Sequence, residues 1–319
     1  MFRSFFIFLS HSSFVRQIVM RWPIVKHMAR RFVAGESLGA AIDVIQTLNS
    51  SGINATLDHL GEHTNSVEAS KSATREIITA LEQIKRTQIR ANISIKLTQI
   101  GLIINKALCE DNLREILTFA RTTNNFIRID MEDSSVTQST LDLVCKMNEE
   151  GFENVGIVIQ SYLYRSKNDV GQLINAHIPV RLCKGAYKEP PEYAFPKKTD
   201  VDQAYDHLSE MLIKASREYD HQGVSYEGRY PPLTALATHD EKRINFARTT
   251  ATNFKLEKKF IEFQMLFGIR RDLQRELAES GFPVRVYVPY GTEWYPYLMR
   301  RLAERPANVW FLLSNLFKH

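Results

Sequence analysis

The sequence predicts an α/β fold: a distorted (β/α)8 TIM-type barrel preceded by N-terminal amphipathic helices. Three observations predict it. Short runs rich in Ile, Val and Leu recur eight times along the chain. Helix-patterned stretches separate them, which is the signature of parallel strands joined by crossover helices. Eight such repeats over roughly 250 residues is the size of one barrel of this kind.

The elements follow in order. Residues 1–45 read as amphipathic helix, with Arg3, Arg16, Arg21, Lys26, Arg30 and Arg31 interleaved with Phe and Val, and the barrel is expected over 46–319. Strands are expected at Asn54–Asp58, Asn92–Leu97, Phe126–Met131, Val155–Gln160, Pro179–Lys184, Leu233–Thr238, Phe260–Met265 and Val284–Val288. Helices are expected at Ser66–Arg86, Leu113–Asn124, Gln138–Glu150, Asp169–Ala176, Val201–Tyr219, Glu241–Asn253 and Ile269–Ser280. The longest connection joins the fifth and sixth strands. It holds Glu189–Asp200 and the polar stretch Asp220–Pro232, where an extra loop or lid is expected.

Composition bounds the function. The chain has 319 residues, 44% hydrophobic and 24% charged, which excludes disorder, collagen and coiled coil. A net charge of +5 permits an anionic partner without requiring one. Basic residues do not cluster with aromatics, so no nucleic-acid partner is expected. Cys109, Cys145 and Cys183 fit no zinc or redox spacing, and their odd number argues against a disulfide framework. A reducing, cytoplasmic setting follows. No apolar run approaches the ~18–20 residues of a membrane span, and Phe5–Leu9 is too short for a signal-peptide core.

In a closed barrel, alternate strand residues face the outer helices and the lumen. Ile93, Ile95 and Leu97 must then point out, which turns Asn92, Ser94 and Lys96 in. The same parity turns in Arg128 and Asp130, Gln160, Arg181, Glu262 and Gln264, and Arg285 and Tyr287. Asp58 ends the first strand and His239 follows the sixth. Several of these polar residues fall at strand C-termini, where barrel enzymes carry their chemistry. Charges in a lumen are costly unless a ligand or ion pairs compensate them, so a buried polar site is expected.

Local patterns sharpen this. Tyr297, Arg300, Arg301 and Glu304 share one helix face by their i, i+3, i+4, i+7 spacing, and the helix starts near the barrel mouth. Two guanidinium groups there suit a carboxylate or phosphate, although the same stripe is also compatible with a solvated face. Arg181-Leu182-Cys183-Lys184-Gly185-Ala186-Tyr187 delivers cations to a strand end, followed by small residues that let backbone pass close to a ligand. An ordinary strand-end turn is the alternative. Lys96 and Asp130 suit either a structural ion pair or substrate positioning. His239 has no partner at ligand spacing, so no metal site is expected. There is no G-x-G-x-x-G, P-loop or G-x-S-x-G, so barrel loops must hold any dinucleotide.

Taken together, these motifs resemble those of the proline dehydrogenase family. The resemblance rests on Ile95-Lys96-Leu97, Ile129–Glu132, Ile159–Tyr162, Arg181–Tyr187, Ala237–Asp240, Glu262–Leu266 and Tyr297–Glu304, in that order. It runs from about Arg31 to the C-terminus and is strongest to the short, monofunctional bacterial type. It implies an FAD enzyme that oxidises L-proline to Δ1-pyrroline-5-carboxylate, the first step of proline catabolism. It further implies hydride transfer to the flavin N5 and reoxidation by a membrane quinone. A separate pyrroline-5-carboxylate dehydrogenase would take the product.

Carried over by motif, Lys96, Arg300 and Arg301 would hold the substrate carboxylate, and Tyr187, Leu266, Tyr287 and Tyr297 would enclose its ring. Asp130 would orient Tyr287. Gln160, Arg181, Lys184, Gly185, Ala186, Thr238 and His239 would contact FAD, with Arg181 near N5. Glu62 would gate the pocket by pairing with an arginine, and Glu304 would pair with an arginine of its own helix. A lipid-soluble acceptor suggests peripheral contact with the inner face of the cell membrane, for which the Phe-rich N-terminus and its arginines are suited; N-terminal helices that simply cap the barrel are the alternative. Two alternatives compete: another flavin-dependent barrel oxidoreductase acting on a different amino acid or a folate, and a non-enzymatic membrane-surface adaptor.

Overall fold

The computed structural model describes residues 29–61, 64–218 and 223–304, with side chains in the last helix as far as Arg301. Eight parallel strands close into a barrel in the order β1-β2-β3-β4-β5-β6-β7-β8. They are β1 (Asn54–His59), β2 (Ala91–Ile95), β3 (Ile127–Ile129), β4 (Val155–Gln160), β5 (Val180–Cys183), β6 (Thr234–Ala237), β7 (Ile261–Leu266) and β8 (Val284–Tyr290). The helices are α1 (Leu38–Ser50), α2 (Val67–Thr87), α3 (Lys106–Thr122), α4 (Ser134–Glu149), α5 (Ser166–Asn175), α6 (Lys198–Glu218), α7 (Glu241–Asn253), α8 (Arg271–Glu279) and α9 (Trp294–Glu304).

Side-chain caps set several helix starts. Ser66 accepts from the Ala69 N–H and Asp240 from the Lys242 N–H, each satisfying an orphan donor of the first turn. α3 starts at Lys106 and not at the expected Leu113, because Asn105 accepts from the N–H groups of Ala107 and Leu108. That cap precedes a polar first turn in which apolar periodicity is silent.

The core lies between strands and helices. Ile93, Ile95, Ile127, Ile129, Ile157, Ile159, Val180, Leu182, Val284, Val286 and Val288 are buried there. Each such side chain contributes roughly 1.5–3 kcal/mol when withdrawn from water. Residues of opposite parity enter the lumen as expected. Register places Ser94 beside Arg128 and Gln264 beside Arg285 on neighbouring strands.

Two expectations are corrected. The first concerns the stretch Asp220–Pro232. Its described part, 223–232, is a loop on the strand N-terminal face and not a lid over the mouth. Asn92 Nδ2 donates to the Arg229 carbonyl at 3.0 Å, and Arg285 Nη2 donates to the Gly228 carbonyl at 2.8 Å. Gly228 has φ 63°, and a Cβ there would overlap the Asn54 side chain. A connection from helix to strand returns to strand N-termini, so this loop floors the barrel at the end opposite the C-terminal mouth. Glu189, by contrast, follows β5 on the mouth side, where its carboxylate accepts from Ser134 N at 2.8 Å and Ser134 Oγ at 2.5 Å.

The second concerns the N-terminus. Residues 30–37 are turns and irregular chain and do not continue a helix, which restarts at Leu38 behind the Ser37 cap. They form a strap on the mouth side. Ala34 N donates to the Pro289 carbonyl at 2.9 Å, Gly291 N to the Gly35 carbonyl at 2.9 Å, and Trp294 Nε1 to Glu36 at 3.2 Å. Phe32 and Val33 are buried with Leu60, Ile269, Trp294 and Leu298. The Phe-rich start of the chain lies outside the described residues. No described helix is long and apolar enough to cross a membrane.

Candidate active site

The strand C-termini bring a buried polar cluster together. Asp130, one residue beyond β3, is its node. It accepts from Tyr287 Oη at 2.7 Å, from Ser94 Oγ at 2.7 Å and from Arg181 Nη1 at 2.9 Å. Lys96, one residue beyond β2, places Nζ 3.2 Å from Asp58 Oδ1 and 3.7 Å from Asp130 Oδ2. The Lys96–Asp130 ion pair is therefore real, and it belongs to a larger constellation. Burial, reinforced by Asp130, pushes the Tyr287 phenol well above its ordinary pKa, so it stays a neutral donor. Burial also raises the Asp58 carboxyl against the pull of Lys96.

Arg181 reaches across the lumen from β5. Its Nε donates to Gln264 Oε1 at 2.5 Å, Nη1 also donates to Ser94 Oγ at 3.0 Å, and Nη2 donates to Thr56 Oγ1 at 3.3 Å. Its guanidinium carbon lies 5.4 Å from the centre of the Tyr287 ring. Below it, Gln264 Nε2 donates to Glu262 Oε1 at 2.5 Å, and Glu262 pairs with Arg285 at 2.8 Å.

A second group lies at the ends of β4, β5 and β6. Lys184 Nζ donates to Asp202 Oδ1 at 2.5 Å and to Asp240 Oδ2 at 2.7 Å. Burial pushes both carboxyls up, but the bonds from Lys184 outweigh it and hold both below the usual range. Gly185 has φ 121°, and a Cβ there would overlap the Tyr162 ring, so only glycine fits. Gln160 anchors this turn: Nε2 donates to the Glu132 carbonyl at 2.8 Å and Oε1 accepts from Ala186 N at 3.2 Å. Thr238 Oγ1 accepts from Asp240 N at 3.1 Å. His239 Nε2 accepts from Leu266 N at 3.0 Å, so the neutral ring carries its proton on Nδ1.

α9 lies across the mouth. Its Tyr297 and Leu298 pack with Leu60 beyond β1 and Ile269 beyond β7, and partly buried Leu266 packs against the same cluster. Tyr297 is 5% and Arg301 8% exposed, which excludes a solvated face for these two positions. The Arg301 guanidinium carbon lies 5.1 Å from the Tyr297 ring centre. Arg300 and Tyr187 are half-buried. Glu62 and the Glu304 side chain lie outside the described residues. Burial pushes the Cys183 thiol up to about 12.

Strand parity turns Ser94 and Gln264 into the lumen without indicating a role, Asp58 stands out only as the end of the first strand, and Thr56 is not singled out by the sequence. Its only signal is the inward parity it shares with Asp58, two residues on. At this end of the barrel Lys96 is paired with Asp58 and Asp130, and α9 brings the buried Tyr297 and Arg301 and the half-buried Arg300.

A family model described as Proline dehydrogenase matches residues 41–313. Proline dehydrogenase 2 of Bacillus subtilis (strain 168) is 37% identical over 316 residues, covering 99% of this chain and 99% of that one. Proline dehydrogenase of Deinococcus radiodurans is 40% identical over 296 residues, covering 92% and 91%. Among solved structures, proline utilization A from Bdellovibrio bacteriovorus, inactivated by N-propargylglycine, is similar with a TM-score of 0.78 at 25% identity, covering 94% of this chain and 36% of that one.

Proposed function

The chain belongs to the proline dehydrogenase family and matches short relatives over nearly their whole length, and on that premise we propose that it oxidises L-proline to Δ1-pyrroline-5-carboxylate with FAD held at the barrel mouth. The observation that carries this reading is the Asp130 node, which locks Arg181 and Tyr287 side by side beneath the mouth.

FAD suits the residues present. Arg181 commits four of its five N–H donors to Gln264, Ser94, Asp130 and Thr56, which leaves one for a ligand on a side chain only 5% exposed. Lys184 has two of its three N–H donors on Asp202 and Asp240, so one would remain for a ligand oxygen. Gln160, Ala186, Thr238 and His239 complete the cradle. When bound, FAD supplies the acceptor for the electron pair that leaves C5 of the substrate.

The chain's own residues bind and aim. Lys96, Arg300 and Arg301 grip the carboxylate, which fixes the pyrrolidine ring in one orientation. Tyr187, Leu266, Tyr287 and Tyr297 wall the ring and exclude water. Asp130 keeps the Tyr287 hydroxyl engaged and so holds the aromatic wall in place.

Electrons leave to a membrane quinone, and a separate pyrroline-5-carboxylate dehydrogenase takes the product. This calls for a cytoplasmic enzyme touching the inner membrane face through its N-terminal segment. Co-sedimentation with liposomes, lost when that segment is removed, supports the contact.

The test of the activity is direct. Purified protein should be yellow, release FAD on denaturation, and lose activity irreversibly with N-propargylglycine. Colourless protein that takes up no FAD overturns the reading.

A further inference from the structure

We propose that Gln264 is a positioning residue that fixes the Arg181 guanidinium against the cofactor by bridging it to the buried Glu262–Arg285 pair. The proposal rests on the reading that FAD binds at this mouth.

The chemistry of the bridge is specific. Arginine Nε–H can only donate and a carboxylate can only accept. The side chain between them must therefore accept at one end and donate at the other. Gln264 does so, with Oε1 facing Arg181 Nε and Nε2 facing Glu262 Oε1, both at 2.5 Å. Glutamate here would set a carboxylate against the Glu262 carboxylate. Leucine would strip a partner from both charged neighbours in a dry lumen.

The far end of the bridge is rigid. Glu262 and Arg285 are both 0% exposed, and Arg285 meets Glu262 through Nε at 2.8 Å and Nη2 at 3.0 Å. Arg285 Nη1 also donates to the Ala55 carbonyl at 2.7 Å, and Nη2 to the Gly228 carbonyl at 2.8 Å. The column thus ends on β1 backbone and on the floor loop. Arg181's other partners are Thr56, Ser94 and Asp130, which hold the terminal nitrogens. Gln264 alone holds Nε, the atom that sets the plane of the guanidinium.

A cation held against the flavin ring stabilises the reduced, more negative form and raises its midpoint potential. Losing the Nε bond lets the guanidinium turn away, and the potential falls.

The experiment measures the midpoint potential of the bound flavin in holoenzyme of wild type, Arg181→Met, Gln264→Leu and the double variant, with FAD content and Tm recorded for each. Arg181→Met shifts the potential negative, Gln264→Leu shifts it negative by less, and the double variant matches Arg181→Met, because the effect of Gln264 passes through Arg181. Should the leucine variant not accumulate folded, Gln264→Met keeps the side-chain length and is read in the same way. A Gln264 variant that lowers Tm but keeps the wild-type potential has only a structural role, and that overturns the proposal. So does a double variant whose shift is the sum of the singles. A wild-type potential in Arg181→Met removes Arg181 from the cofactor and the proposal with it, while absence of bound flavin overturns the functional reading itself.

Discussion

Tyr287 and Asp130 stand 157 residues apart in sequence and on non-adjacent strands, yet Tyr287 Oη donates to Asp130 Oδ2 at 2.7 Å across the lumen. Only closure of the barrel brings them together. Tyr287→Phe keeps the ring and removes this one donor. A hydrogen bond to a charged acceptor is worth about 1.5–3 kcal/mol, so kcat/KM for proline should fall by roughly ten- to a hundredfold, with FAD content unchanged. Steady-state kinetics check this, and an unchanged kcat/KM contradicts it.

Arg301 tests the carboxylate grip. Arg301→Met should raise the KM for proline strongly while FAD stays bound, at a cost of roughly 2–4 kcal/mol in kcat/KM. A wild-type KM takes Arg301 out of substrate binding.

The strap is expected to hold α9 in place. Phe32 is 1% exposed and packs in the cluster that contains Trp294 and Leu298. Phe32→Ala should cost about 3–5 kcal/mol of stability by leaving a cavity. It should also raise the KM for proline, because α9 carries Arg300 and Arg301. Thermal unfolding and steady-state kinetics read the two effects, and a lowered Tm with an unaltered KM separates the strap from the site.

Asp206 gives a pH signature. Burial, with Asp202 and Asp240 adding to it, pushes its carboxyl up to about 6, against Arg243, whose Nε lies 2.8 Å from Asp206 Oδ1. A folded pKa above the unfolded one means that the folded state favours the protonated acid. The stability this confers is complete below about 4 and is lost as the pH rises through about 6. Asp206→Asn should therefore stabilise the protein at pH 7.5, by about 1 kcal/mol once solvent screening of the partly exposed carboxyl is allowed for. The gain should shrink as the pH drops from about 6 towards 4. Tm of both proteins across that range checks the sign.

Strand order and lumen parity were legible in the sequence because every strand must be apolar on its helix-facing side. That rule alone turned Ser94, Asp130, Arg181, Gln264 and Tyr287 inward. The start of α3 was not legible, since Asn105 caps a first turn with no apolar stripe. The stretch around Gly228 could be expected as an extra loop or as a lid, because composition marks a loop as polar without saying which end of the barrel it covers. The part played by Gln264 was hidden for a different reason. An amide that joins a donor to an acceptor shows itself only when both partners, on β5 and on its own strand, are in place.

The central claim is that cations at one rim grip the acid group of proline and so present its ring to FAD. Anaerobic titration of the purified enzyme, following visible absorbance with L-proline and with pyrrolidine (the same ring without the carboxylate), tests it most directly. Proline should bleach the flavin at concentrations where pyrrolidine leaves it oxidised. Equal bleaching by both compounds, or none by proline, contradicts the account.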